Sequence, residues 1–198
     1  MLNKIFNMID NYIYLYHTDT FIVIPAYPET FTDSMSVNYS AENVLMRSAP
    51  IFSYSSSGPR TINVDIKMHR EMMLQINYGV SNAKVDIQDD YVDELVKQIQ
   101  AAVLPTYSAA TKMVDPPMVA VRFGNEIFCK GVITGSVSVT YDLPVLHDGK
   151  YAQVGLSFTL QEVDPYDAMT VQSVGSFRGL DTTLERRLWK AAGGLINR

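Results

Sequence analysis

The sequence predicts a mainly β fold with a minor helical part (α+β), and three stretches carry that prediction. From Ala152 to Leu160 the residues alternate strictly: Ala152, Val154, Leu156, Phe158 and Leu160 share one side, and Gln153, Gly155, Ser157, Thr159 and Gln161 share the other. Successive side chains on a β-strand project to opposite faces, so this stretch has one dry face and one wet face. Ile62, Val64, Ile66 and Met68 alternate in the same way against Thr61, Asn63, Asp65, Lys67 and His69, here with a charged outer face. Val92, Leu95, Val96, Ile99 and Val103 instead recur at helical spacing, which predicts a helix over Asp89 to Val103.

The remaining elements follow in order. Residues 1–18 form an N-terminal arm with two readings. Leu2, Ile5, Phe6, Ile9 and Ile13 have helical spacing, whereas Tyr12, Tyr14 and Tyr16 alternate with Ile13 and Leu15 and favour a strand beyond Asp10. The arm packs on its own core or docks on a neighbouring subunit. Phe21 to Ile24 is a short apolar strand stopped by Pro25 and Pro28, because proline cannot donate to a ladder. Met35 to Tyr39 is another short candidate, and Pro50 to Tyr54 leads into Ser55-Ser56-Ser57-Gly58-Pro59, a loop by composition.

Asp89 or Asp90 caps the helix, Asp93 and Glu94 suit the positive end of its dipole, and Pro105 ends it. Met118 to Phe123 reads as a strand turning at Gly124-Asn125, and Ile127 to Tyr141 as a long strand bent near Gly131 or Gly135. Asp142 to Lys150 connects it to the strand ending near Gln161, and Asp164-Pro165 closes the sheet region. Val171 to Gly179 reads as a linker. A C-terminal helix follows, with capping-box spacing at Thr182 and Glu185, a side lined by Leu184, Leu188, Ala192 and Leu195, and Trp189 beside them. The expected division is therefore an arm (1–18), a β domain (19–168) and a C-terminal linker with helix (169–198).

Composition narrows the function classes. The 198 residues are 47% hydrophobic and 19% charged, enough to bury a core. The formal net charge of -5 and a pI near 5.1 lack the basic clustering of a protein that coats DNA. A single cysteine, Cys129, excludes an intramolecular disulfide framework and fits a reducing compartment. No run approaches the roughly 20 apolar residues of a membrane helix. Asp10 and Asn11 interrupt the apolar N-terminus, which leads us to expect an intracellular protein at synthesis and no membrane insertion.

No motif for catalysis, cofactor or metal stands out. Cys129 follows Phe128 on a strand and reads as a small buried hydrophobe. His17, His69 and His147 share no ligand spacing with it, and the acidic run Asp86, Asp89, Asp90, Asp93, Glu94 lacks a calcium-loop pattern. Gly131 and Gly135 fit neither a P-loop nor a dinucleotide fingerprint. The candidates are surfaces instead: the uncharged wet face with Ser157, Thr159 and Gln161, and the C-terminal helix with Leu184, Leu188 and Trp189. Tryptophan is over-represented at interface hot spots, and Glu185, Arg186, Arg187 and Lys190 solvate that helix's outer side.

In sequence order, FIVIPAYPE (Phe21–Glu29), YSSSGPRTINVDIKMH (Tyr54–His69), one mid-chain helix, PPMVAVRFGN (Pro116–Asn125) and GKYAQVGLSFTLQEVDPY (Gly149–Tyr166) resemble the tail-tube-like proteins of contractile phage tails and injection systems. The similarity is strongest to the baseplate members that initiate the tube or join it to the hub. It implies a rolled β-sheet or sandwich-barrel with one packed helix, assembled into six-fold rings. The implied partners are copies of itself, the tail tube protein, and hub or wedge proteins, with DNA only in transit through the lumen. The implied location is the host cytoplasm during assembly, then the virion tail or baseplate. Adaptor-type members add a LysM module after this region, where this sequence has only Val171 to Arg198, which favours a tube initiator. The alternative is a β-sandwich binding module for a peptide or sugar, whose pocket would gather Tyr12, Tyr14, Tyr16 and Tyr107.

Overall fold

The computed structural model describes residues 11–24, 28–71, 91–107, 114–115, 117–164, 167–175, 183–184 and 186–187. Its strands are β1 (Asn11–Leu15), β2 (Thr20–Val23), β3 (Thr30–Ser34), β4 (Val37–Glu42), β5 (Ile51–Ser57), β6 (Thr61–His69), β7 (Thr106–Tyr107), β8 (Val114–Asp115), β9 (Val119–Phe123), β10 (Ile127–Val145) and β11 (Tyr151–Glu162). The helices are α1 (Tyr91–Ala101), between β6 and β7, and α2 (Ala168–Val174), after β11. Seven strands form one antiparallel sheet in the order β2-β1-β9-β10-β11-β6-β3, while β4–β5 and β7–β8 form separate two-stranded pairs.

The mainly β, α+β expectation holds, and the sheet rolls without closing into a barrel. At its β3 margin the Phe31 ring stacks on Phe123 of β9, with centroids 6.4 Å apart. The inner face carries Ile13 and Leu15 (β1), Ile62, Val64, Ile66 and Met68 (β6), Val119, Val121 and Phe123 (β9), and Val154, Leu156, Phe158 and Leu160 (β11) in one buried cluster. Helix α1 fills this concave side with Val92, Leu95, Val96 and Ile99, the stripe its periodicity predicts. A smaller cluster lies on the outer face, where Tyr12, Tyr14, Phe21, Ala120 and Phe128 surround Leu184.

One of the two readings of the arm is selected, and three expectations change. Asn11 to Leu15, assigned by sequence to the arm, is a wholly buried strand between β2 and β9, which agrees with the strand reading beyond Asp10; residues 1–10 lie outside the described residues. The serine run is strand rather than loop, since β5 continues to Ser57 opposite Val37, with Asn38 Nδ2 donating to Ser56 Oγ at 3.2 Å. The long strand continues past Tyr141 to Val145, because Val145 still pairs with Tyr151. Part of the expected linker is helix α2, which Asp167 caps by accepting from the Thr170 amide at 2.8 Å and Gly175 ends at φ 60°.

The bend in β10 sits at Gly135, whose φ of 76° coincides with a register shift against β11 between Thr134 and Ser138. Gly131 meets a different requirement. A Cβ there would lie 1.9 Å from the Gln161 carbonyl oxygen, so the close approach of β10 to β11 needs a glycine.

Candidate assembly surfaces

The wet face behaves as its alternation predicts. Ser157 is exposed, Thr159 and Gln161 are half-buried, and all three lie opposite the core residues of β11. Ser157 and Thr159 line a shallow groove of about 310 Å³ with Thr30, Thr32, Asn63, Asp65, Ser136 and Ser138. Asn63 binds the groove floor together, accepting from Thr159 Oγ1 at 2.8 Å and donating to Thr32 Oγ1 at 3.2 Å. Lys67, at the margin of this face, pairs with Glu29 at 3.0 Å, and that carboxylate raises the pKa of the ammonium group. The result is a hydroxyl-rich surface with little free positive charge.

Leu184 is 3% exposed and packs on the protein's own outer cluster. Arg187 fastens the same segment: it donates to both carboxylate oxygens of Asp19 at 2.5 and 2.6 Å and to Tyr14 Oη at 3.3 Å. The bonds from Tyr14 and Arg187 hold the Asp19 carboxyl below its ordinary pKa. Burial pushes the Tyr14 phenol up, and its bond to Asp19 pushes it further. Leu188 and Trp189 lie outside the described residues.

The alternative tyrosine pocket is not formed. Tyr12 and Tyr14 are buried and packed edge-on or tilted against Phe21 at centroid distances of 5.6 and 4.6 Å, whereas Tyr107 is exposed on β7. Their strand puts the rings under the C-terminal segment, so they serve as core. Among the described residues no three His, Cys, Asp or Glu side chains gather as a metal site, and Cys129 is fully buried.

The most exposed apolar surface is one that the alternation of single strands does not flag. Strands β4 and β5 extend beyond the sheet as a hairpin in which every residue is exposed. Cross-strand pairing puts Tyr39 beside Tyr54 and Ala41 beside Phe52, so one face of the hairpin is aromatic; the two tyrosine rings meet at 5.8 Å. At its turn Leu45 is 90% and Met46 99% exposed. Between Met35 and Ser57 only Glu42 and Arg47 are charged. An isolated hairpin is marginal in water, and a contiguous apolar surface of this kind marks an interaction site.

A second apolar tip closes the β10–β11 hairpin, where Tyr141, Leu143, Val145 and Tyr151 are exposed and the two tyrosine rings lie 6.0 Å apart. The register places the two tips at opposite ends of one strand pair. Gln161 pairs with Thr61 at the end from which the β4–β5 hairpin leaves, and Gln153 pairs with His69 at the end carrying the second tip. The nine residues of β6 separate these ends by roughly 25–30 Å.

No protein-family profile matches the chain, and no curated protein matches it. Among solved structures it is similar to a chain in the virion of a native gene transfer agent particle, at 14% identity and a TM-score of 0.40, covering 79% of this chain and 96% of that one. It is also similar to a chain in the tail of an empty gene transfer agent particle with C6 symmetry, at 15% identity and a TM-score of 0.40, covering 80% of this chain and 96% of that one.

Proposed function

We propose that this protein is a structural subunit of a phage-type tail, acting through its surfaces rather than by catalysis, and that copies associate head to tail along the strand axis. The observation that carries the reading is the pair of exposed apolar tips at opposite ends of β6 and β11, one on the β4–β5 hairpin and one on the β10–β11 hairpin. When one end of a molecule binds the other end of its neighbour, the contact generates an open stack, or a ring when the rotation closes. Burying a large apolar side chain such as Leu45 or Phe52 contributes roughly 1.5–3 kcal/mol, so a few of them outweigh the ordering of the hairpin. The ordering of sequence segments that resembles tail-tube-like proteins supports the same class.

Within it, the finer role is a ring at the baseplate that initiates the tail tube or joins it to the hub. The hydroxyl-rich face suits a channel wall past which DNA slides, because it offers few cations to hold phosphates. Electron microscopy of the chain, alone and co-expressed with a tail tube protein, tests the reading. Rings or stacked rings are expected, and the double substitution Leu45→Asp with Met46→Asp should abolish them. A chain that stays monomeric at every concentration and ignores the tube protein would sink it.

A further inference from the structure

Strand β6 is bracketed by two buried arginines, Arg60 immediately before it and Arg70 immediately after it, and each sits at the root of one apolar tip. Arg60 is fully buried. Its Nε and Nη2 donate to the two carboxylate oxygens of Asp33 at 2.8 and 2.7 Å, and Nη1 donates to the Phe128 carbonyl at 3.2 Å. Glu162 Oε1 lies 3.8 Å away, and the Glu162 amide donates to the Arg60 carbonyl at 2.9 Å. One side chain thus ties together β3, which leads into the hairpin, the turn that leaves it, and β10 and β11 beneath. At the other end Arg70 Nε donates to the Tyr151 carbonyl at 2.8 Å and Nη2 to Asp93 at 2.7 Å, while Lys150 reaches the same carboxylate at 2.8 Å.

A largely buried ion pair such as Arg60–Asp33 is a poor net stabiliser, because desolvation offsets most of the attraction; conformational specificity is its best-attested use. Here the geometry shows what has to be specified. All residues of β4 and β5 are exposed, and among the described residues the hairpin is held at its root, by Arg60, by the Gly58 amide on the Ser36 carbonyl at 2.8 Å, and by Ser34 Oγ on the Thr61 carbonyl at 3.2 Å. Seven residues of β5 span about 23 Å, so a tilt of about 10° at the root displaces the tip by about 4 Å. Packed surfaces tolerate gaps of only about 0.5–1 Å.

We infer that Arg60 is a positioning residue that fixes the angle of the β4–β5 tip against the end of β6. The inference rests on the head-to-tail reading above and deepens it. The test places spin labels at Met46→Cys and Glu126→Cys in a Cys129→Ala background and measures their distance distribution in the dilute full-length chain. Self-association of unlabelled chains is followed by sedimentation. Arg60→Lys keeps the charge but not the planar fork. It is expected to leave cooperative melting in place, widen the distance distribution at least twofold, and raise the half-association concentration tenfold or more. Asp33→Asn is expected to do the same more mildly, and it carries the test if Arg60→Lys does not fold.

Leu45→Asp serves as the control. It is expected to abolish association with the distribution unchanged, and association that survives it overturns the head-to-tail reading itself. If Leu45→Asp abolishes association while the root variants neither widen the distribution nor shift the midpoint, the positioning inference alone is overturned. A lowered melting temperature without widening assigns Arg60 a purely structural role and overturns it equally.

Discussion

Phe158 and Phe52 are both phenylalanines on antiparallel strands, yet one is 3% exposed and the other 64%. Phe158 pairs with Val64 of β6 in the buried cluster that also holds the apolar stripe of α1, whereas Phe52 lies exposed beside its cross-strand neighbours on a hairpin that leaves the sheet. Alternation alone does not separate the two cases. The β-sheet pattern says that a face is apolar; whether it becomes core or contact surface depends on what the chain brings over it. In the body the chain supplies its own cover, and on the hairpin no described residue does, which is why the proposed assembly surface lies there.

The sharpest way to break this contrast is to charge both regions. Phe158→Asp puts a carboxylate in the core without a partner, at a cost of several kcal/mol, and should abolish folding as read by circular dichroism. Survival of a cooperative transition would mean that the rolled sheet is not the stabilising body. Leu184→Ala is expected to cost about 2 kcal/mol, the low end for a buried leucine, because its cluster is small. A melting temperature unchanged by it would make the C-terminal segment a passenger.

Acid gives a smaller and graded effect. Burial raises the Asp93 pKa, but the Arg70 and Lys150 bonds outweigh it and the net shift is downward. A depressed carboxyl contributes stability that is complete above its unfolded pKa, about 3.9, and is lost as pH falls through the lower folded value. The loss below about pH 4 should be only about 1 kcal/mol, since the pair is half-exposed and screened by water. Amide exchange at the start of α1 and at Lys150 to Tyr151 reads it, and Asp93→Asn should remove the pH dependence there. The least effect on stability, within about 0.5 kcal/mol, is expected for Leu45→Asp with Met46→Asp, even though the same change abolishes assembly. A large drop in melting temperature would show that the turn is covered by its own chain.

Legibility in the sequence followed the same divide. Ala152 to Leu160 and Ile62 to Met68 were readable because one face of each meets the core and the other meets water, which is what alternation records. The α1 stripe was readable for the same reason. Tyr12 and Tyr14 were harder: tyrosines alternating with Ile13 and Leu15 favoured a strand, but both faces are apolar, buried inside by Ile13 and Leu15 and outside under Leu184, so the pattern did not say which face is core. The serine run of β5 read as loop because serine is common in turns, and its strand character comes from pairing with Val37 to Glu42 rather than from propensity. The wet-face candidates Ser157 and Thr159 do share one groove, whereas the hairpin tips were missed as contacts. The available signal was charge: only Glu42 and Arg47 across Met35 to Ser57, far below what a solvated loop of that length carries.

The two tips also belong to different hairpins, with Leu45, Met46 and Phe52 beside one tyrosine pair and Leu143 and Val145 beside the other. Any column built from such subunits has a direction, like an arrow, and its two termini are chemically distinct. A starter protein therefore needs to imitate only one end, and a terminator only the other, so where growth begins and where it stops are open to separate control.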